Sequence, residues 1–343
     1  MAHDVSLAAR ALMRAFIRVG LVSLALSVMA FGPGIANGTR GQERSAHRKT
    51  PVILDTDIGD DIDDTWALAL LLKSPELDLK LVVTDFGNTV YRAKIVARML
   101  EIAGRDDVSV GIGIKTADSS GAQSPWVKDY DLSRYPGKVY EDGVKALIDT
   151  IMSSPEQVTL ICIGPVPNIG AALDREPGIA RRARFVGMHG SVRRGYGGKK
   201  APEPEYNVKT DPAACRRALT ASWGVTITPL DTCSLVSLNG EKYRAVRDCK
   251  DPLVRALMDN YRIWCGKNPE RAEKASSTLF DTVAVYLAIS EELLVMESIG
   301  LRVTDDGRTV EDPGGKQISC ALDWKNLPAF EDFLVQRLTL GRS

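Results

Sequence analysis

From Pro51 onward, short apolar runs alternate with longer amphipathic ones, and this alternation limits the fold more than any other feature of the chain. Residues 52–54, 79–84, 108–112, 158–163 and 185–188 read as strands. Between them, residues 64–73, 90–103, 144–152 and 168–173 read as helices, the second stopped by Gly104. A strand followed by a helix, repeated, predicts an α/β fold: a single-domain, mainly parallel, doubly wound sheet flanked by helices. The second half adds helices over 212–221, 252–264, 282–289 and 327–338. Before the last of these, β-type runs within 300–324 turn at Asp305-Asp306-Gly307 and predict a C-terminal hairpin.

The first strand runs into Ile53 to Asp64, "ILDTDIGDDIDD", which holds six aspartates in twelve residues and no cation. The rest of the chain does not explain it: 44 basic residues balance 44 acidic ones, and no bulk charge points to nucleic acid or an anionic membrane. In a doubly wound sheet, ligands bind at the carboxyl ends of strands, which is where Asp55 and Asp57 fall. Crowded carboxylates must take up protons unless a cation neutralises them. An all-oxygen set suits a hard divalent ion, and an irregular cage favours Ca²⁺. Asp63 and Asp64 could instead serve the helix N-terminus, where acids suit the macrodipole, but that does not account for Asp55 and Asp57. An EF-hand loop counted from Asp55 would need Gly where Asp60 stands and a carboxylate where Trp66 stands. A phosphatase of the haloacid dehalogenase type also opens with a strand and DxD, with Asp55 as nucleophile, yet it has no use for the four further aspartates.

The N-terminus is a separate unit. Arg10, Arg14 and Arg18 precede the apolar run 19–31, and the small-residue pattern Gly34-Ile35-Ala36 follows. This is the layout of a signal peptide over residues 1–36, with a retained anchor as the alternative. Residues 37–50 read as a flexible linker and 51–343 as the folded domain. The expected location is secreted or periplasmic, with no membrane association after cleavage. The six cysteines have no CxxC spacing, so a zinc site is not expected.

Five motifs in order carry a resemblance to the inosine-uridine preferring nucleoside hydrolases, Ca²⁺-dependent enzymes that split the N-glycosidic bond of ribonucleosides. "LDTDIGDDIDD" with "TWALALLL" resembles the family's opening signature. "TDFGN", "CIGPVPNIGAAL", "EPEYNVKTDPAA" and "LFDTVAVYLAI" resemble its later segments. The resemblance implies Asp57 as general base and metal ligand, with Asp64, Asp281 and the main-chain carbonyl of Ile163 as further ligands. It also implies Asp63, Asn88, Glu205 and Asn207 as ribose contacts, and Asp61 as the competitor for either metal role. His189 follows a strand end on the side expected to face the crevice and joins the candidate substrate contacts, although a structural histidine is the more usual reading of such a residue. Asn88 and Asp281 could equally cap helices. The chain departs from the family at Phe280, where many members have His, and at Lys199, where they have Asn. The implied partner is a small nucleoside, and the family's habit suggests a homo-oligomer. A nucleoside- or ribose-binding protein without efficient catalysis is the competing reading. The stretch "SVRRGYGGKK", Ser191 to Lys200, reads as a candidate lid whose cations could meet an anionic group or simply face solvent.

Overall fold

In the computed structural model the apolar runs form the strands and the amphipathic runs the helices that cover them. Residues 49–340 are described, and they fall within the unit His47–Ser343. The expected signal peptide and nearly all of the expected linker lie outside the described residues. The strands are β1 (Thr50–Thr56), β2 (Leu77–Thr84), β3 (Ser109–Ile112), β4 (Val139–Tyr140), β5 (Val158–Cys162), β6 (Ala183–Gly187), β7 (Val225–Ile227), β8 (Leu294–Val303), β9 (Thr309–Glu311) and β10 (Lys316–Trp324). They form one ten-stranded sheet in the order β4-β3-β2-β1-β5-β6-β7-β10-β8-β9. Neighbours from β4 to β10 pair in parallel, whereas β10–β8 and β8–β9 are antiparallel. The chain winds outward from β1 to β4 and resumes on the other side of β1 with β5. The order therefore reverses between β1 and β5, and a crevice opens at their carboxyl ends.

Helices cover both faces, so the central strands carry apolar side chains on both sides. Along β1, Val52 and Leu54 belong to one core and Ile53 to the other. The helix Asp63–Leu72 is buried along all ten of its residues. It contacts the helices Pro252–Trp264, Thr282–Leu287 and Leu327–Thr339, and Trp66 meets Tyr261 edge to face at 6.2 Å. A helix apolar all round belongs inside a protein, and this one carries its two leading aspartates inside with it.

The turn at Asp305–Gly307 does close a hairpin, between β8 and β9, with Thr304 accepting from and donating to Arg308 across it. The longer partner of β8, however, is β10, which inserts beside β7 and joins the hairpin to the parallel sheet. Sequence periodicity does not reveal β4 or β7, which are two and three residues long. All six cysteines are free thiols. Among the described residues no helix is long and apolar enough to cross a membrane.

Candidate active site

The loop after β1 turns at Gly59, whose φ of +122° is open to glycine, and a Cβ there would lie 2.8 Å from the ring of Tyr91. Arg92, from the helix Thr89–Ile102, holds this loop from below. Its guanidinium donates to the carbonyls of Asp57, Ile58 (2.9 Å) and Phe86 (2.7 Å) and pairs with Asp60 at 2.7 Å. The loop ends at Ile62, which caps the next helix without a side-chain bond, so Asp63 and Asp64 are free of capping duty. Asp281 likewise stands at the N-cap of Thr282–Leu287 and makes no side-chain capping bond. The capping reading of Asp281 is thereby excluded.

These carboxylates converge. Asp63, Asp64 and Asp281, all buried, each bring an oxygen within 4.8 Å of the others. They line a cleft of about 410 Å³ together with Asp57, Asp60, Asp61, Met188, Tyr196, Glu205, Tyr206, Asn207 and Phe280. The lining thus combines an acidic group with the aromatic side chains of Tyr196, Tyr206 and Phe280, in a volume suited to a small organic molecule. Asp63, expected at the sugar, lies within this group, at a spacing that serves an ion or a sugar hydroxyl held beside it. Asp61 is exposed at the rim, where its carboxylate accepts from the Ile62 N–H at 2.7 Å.

Burial raises the pKa of Asp63, Asp64 and Asp281 well above the ordinary carboxylate range, and repulsion from neighbouring carboxylates adds to it: Asp61 and Asp57 for Asp63, Asp57 and Asp63 for Asp64, and Asp63, Asp64 and Asp57 for Asp281. Burial pushes Asp57 up to about 6, with Arg92 opposing. Each of these groups is costly as an anion here unless a positive charge sits among them. The donors are all oxygen, from several directions and on both a loop and a helix start, which is the chemistry of a hard divalent cation. The residues therefore fit such an ion. The Asp64 carboxylate is further aimed by the Thr56 hydroxyl, which donates to it at 2.5 Å.

Glu205 is fully buried and accepts from the backbone N–H groups of Asn207 (2.7 Å), Gly190 (2.9 Å) and Val208 (3.2 Å). Burial lifts it to about 7 against those three bonds. The Asn207 amide donates to the carbonyls of Ile163 (3.2 Å) and Met188 (3.0 Å), tying the carboxyl ends of β5 and β6 together. Beneath the cleft lies a second acidic layer. Asp55 has no exposed surface and accepts from Asn168 at 2.8 Å, while Asp85 accepts from the Val166 N–H at 2.9 Å. Burial raises both, Asp55 to about 7 and Asp85 well above the ordinary carboxylate range, with repulsion from Asp55 adding to it. Gly164 allows this approach, since a Cβ there would lie 2.5 Å from Asp85 Oδ1.

Three expectations are corrected. Asn88 caps its helix, its Oδ1 accepting from Tyr91 N–H at 3.1 Å and its amide donating to the Asp118 carbonyl, and it lies in a different surface groove from the acidic cleft. His189 is wholly buried beneath the cleft, its Nε2 3.0 Å from the Gly164 carbonyl and its ring against Phe185. Burial lowers it to about 4, so it is a neutral structural histidine. Asp55, the nucleophile that a phosphatase would need, cannot be reached from the cleft, which removes that reading. Three of the four cations of Ser191 to Lys200 are committed to surface carboxylates and do not line the cleft: Arg193 pairs with Glu297 and Glu311, Arg194 with Asp323 and Lys199 with Glu203. What that stretch brings to the cleft is Tyr196. Sequence reasoning also passed over Arg92 and Asp85, whose only signal was a charge inside an apolar, buried context.

The model of the inosine-uridine preferring nucleoside hydrolases matches residues 52–332. The chain belongs to that family, whose members hydrolyse N-glycosyl bonds of nucleosides and depend on a metal. Among its relatives is a pyrimidine-specific ribonucleoside hydrolase of Citrobacter koseri, 29% identical over 85% of this chain and 99% of the relative. A uridine nucleosidase of Arabidopsis thaliana is 25% identical over 85% of this chain and 89% of its own. The fold matches a plant nucleoside hydrolase with a TM-score of 0.72 at 22% identity, covering 86% of this chain and all (100%) of that one. It also matches a purine-preferring ribonucleoside hydrolase from Gardnerella vaginalis with a TM-score of 0.69 at 23% identity, covering 84% and 98%.

Proposed function

We propose that this chain is a Ca²⁺-dependent hydrolase of ribonucleosides, releasing ribose and the free base. The observation that carries it is the meeting of Asp63, Asp64 and Asp281 at ligand spacing in a cleft that aromatic side chains also line. Asp57, Asp64, Asp281 and the Ile163 carbonyl would hold the ion, which when bound supplies a positive centre for the ribose hydroxyls and a water molecule. Asp57 takes the proton of the attacking water, help that is typically worth ~10²–10⁴-fold. Asp63, Glu205 and Asn207 grip the sugar hydroxyls, contacts that strengthen as the ring flattens toward the oxocarbenium-like transition state. Glu205 is held as a hydrogen-bonding anchor by its three backbone donors, and Asn207 keeps that anchor in register with β5. The aromatic side chains Tyr196, Tyr206 and Phe280 offer the base a stacking surface and exclude water from it.

The deciding assay is reducing-sugar release from a panel of purine and pyrimidine nucleosides, with EDTA and with Ca²⁺, Mg²⁺ or Zn²⁺ added back. Turnover lost on chelation and restored best by Ca²⁺ is expected. Binding of nucleosides with no sugar released over long incubation would replace the enzyme with a binding protein. We further propose that residues 1–36 are a signal peptide, removed after about Ala36, that delivers the domain 51–343 outside the cytoplasm or to a periplasm. The basic run Arg10, Arg14 and Arg18 ahead of the apolar stretch supports this. N-terminal sequencing of the exported protein tests it.

A further inference from the structure

The reaction proposed above leaves a negative charge on the departing base, and the position expected to answer it carries Phe280, which has no donor. His189 is buried elsewhere with its Nε2 against the Gly164 carbonyl. The remaining polar groups of the cleft are nearly all committed. The Asn207 amide N–H groups are spent on two carbonyls, Tyr206 is 48% exposed with its phenol open to solvent, and the carboxyls become acceptors once a cation ionises them. Tyr196 is the exception. It lines the same cleft and stands edge-on to Phe280 with ring centroids 6.0 Å apart. Its phenol oxygen accepts the backbone N–H of Tyr206 at 2.9 Å, and among the described residues its own O–H has no acceptor. The backbone fixes this ring in place, with the Tyr196 N–H on Glu203 at 2.9 Å and the Ser234 hydroxyl on the Gly195 carbonyl. Burial and the nearby Glu205 hold the proton on the phenol well into the alkaline range.

We propose that Tyr196 is a catalytic residue, donating its phenolic O–H as a hydrogen bond to the nucleobase as it leaves. This rests on the hydrolase reading. The C1′–N bond breaks with its electron pair passing to the base, and the phenol hydrogen bond stabilises the charge on the ring nitrogen or carbonyl oxygen that receives it. The water oxygen bonds to C1′ and gives a proton to Asp57, and the free base takes up an equivalent proton from solvent. Tyr196 ends as it began, protonated.

The test compares Tyr196→Phe with the native enzyme on uridine, inosine and p-nitrophenyl β-D-ribofuranoside, whose nitrophenolate leaves without help. Removing a single donor aimed at developing charge typically costs ~10²–10³-fold. Nucleoside turnover should fall by about that factor while nitrophenyl ribosidase turnover stays near native, so the ratio of the two shifts. Because both rates come from the same preparation, the ratio is independent of how much of the variant is folded. An equal loss on both substrates makes Tyr196 a scaffold for the Glu205–Asn207 segment and overturns the proposal, as does unchanged nucleoside turnover. If Tyr196→Phe yields no folded protein, fluorotyrosine at position 196 lowers the pH at which the phenol ionises. Nucleoside turnover must then fall above that pH while nitrophenyl turnover does not, and parallel pH profiles overturn the proposal. A native enzyme that splits neither substrate refutes the hydrolase reading itself, a result distinct from any of these.

Discussion

Replacing Arg92 by Met separates two accounts of what holds the aspartate loop. Arg92 is 2% exposed and its guanidinium serves three backbone carbonyls as well as Asp60. The Asp60 side chain is 49% exposed, so that ion pair contributes at most ~1 kcal/mol. The carbonyls of Asp57 and Ile58 are interior, and a buried acceptor left without its donor costs ~1–3 kcal/mol. The Phe86 carbonyl lies nearer the surface and water can replace its donor. Two interior carbonyls therefore set the cost of Arg92→Met at about 2–6 kcal/mol, with a further loss because the guanidinium also favours the charged forms of Asp57 and Asp64. Asp60→Asn removes the ion pair alone and should cost under ~1 kcal/mol. Urea unfolding of both variants in EDTA, followed by circular dichroism, gives the comparison. Equal costs for the two substitutions, or a negligible one for Arg92→Met, would show that the charge pair rather than the carbonyl network secures the loop.

Asp281→Asn should leave the fold intact and weaken Ca²⁺ binding strongly, since it removes one charge from the group at ligand spacing; calorimetric titration showing native affinity would take Asp281 out of the metal set. In EDTA, thermal stability should fall as pH rises from 5 to 8. Burial raises Asp57 to about 6 and Glu205 to about 7, so the folded state binds more protons than the unfolded chain above the ordinary carboxylate range, and that stability disappears as pH passes through about 7. Ca²⁺ should flatten the trend by favouring the charged carboxylates, and melts that are higher at pH 8 than at pH 5 without metal would contradict the burial argument. Arg193→Ala should change neither nucleoside turnover nor the response to a 5′-phosphate on the substrate, because Arg193 is committed to Glu297 and Glu311; a selective loss toward nucleoside 5′-phosphates would return that cation to the cleft.

Parallel strands buried on both faces appear as continuous apolar runs, which is why β1, β2, β5 and β6 were legible to within a few residues. The same legibility covers the helix that begins at Asp63, whose apolar run follows directly on the last aspartates. Strands of two and three residues such as β4 and β7 carry no period, and the insertion of β10 between β7 and β8 depends on a pairing that no local pattern encodes. At the site, Asp57, Asp63 and Asp64 were legible as an acidic loop where a strand meets a helix, whereas Glu205 and Asn207 were found only through the resemblance of their segment to a known family; all five line the cleft. Asn88 and His189 stayed open between two readings in sequence, because a polar residue beside a crevice looks the same there whether it faces the ligand or its own backbone.

By itself the sequence determined the layered α/β class, the acidic loop at the first strand's end and the need for a positive charge there, since these follow from periodicity and from repulsion between neighbours in the chain. Only the tertiary structure brought Asp281 to the spacing its resemblance implied, and it alone decided that Arg92 braces the loop, that Arg193, Arg194 and Lys199 are committed to surface carboxylates and that Tyr196 lines the cleft. Each of those depends on which distant segments share a buried volume, and burial is what decides whether a polar side chain is an anchor, a ligand or a donor left free to act.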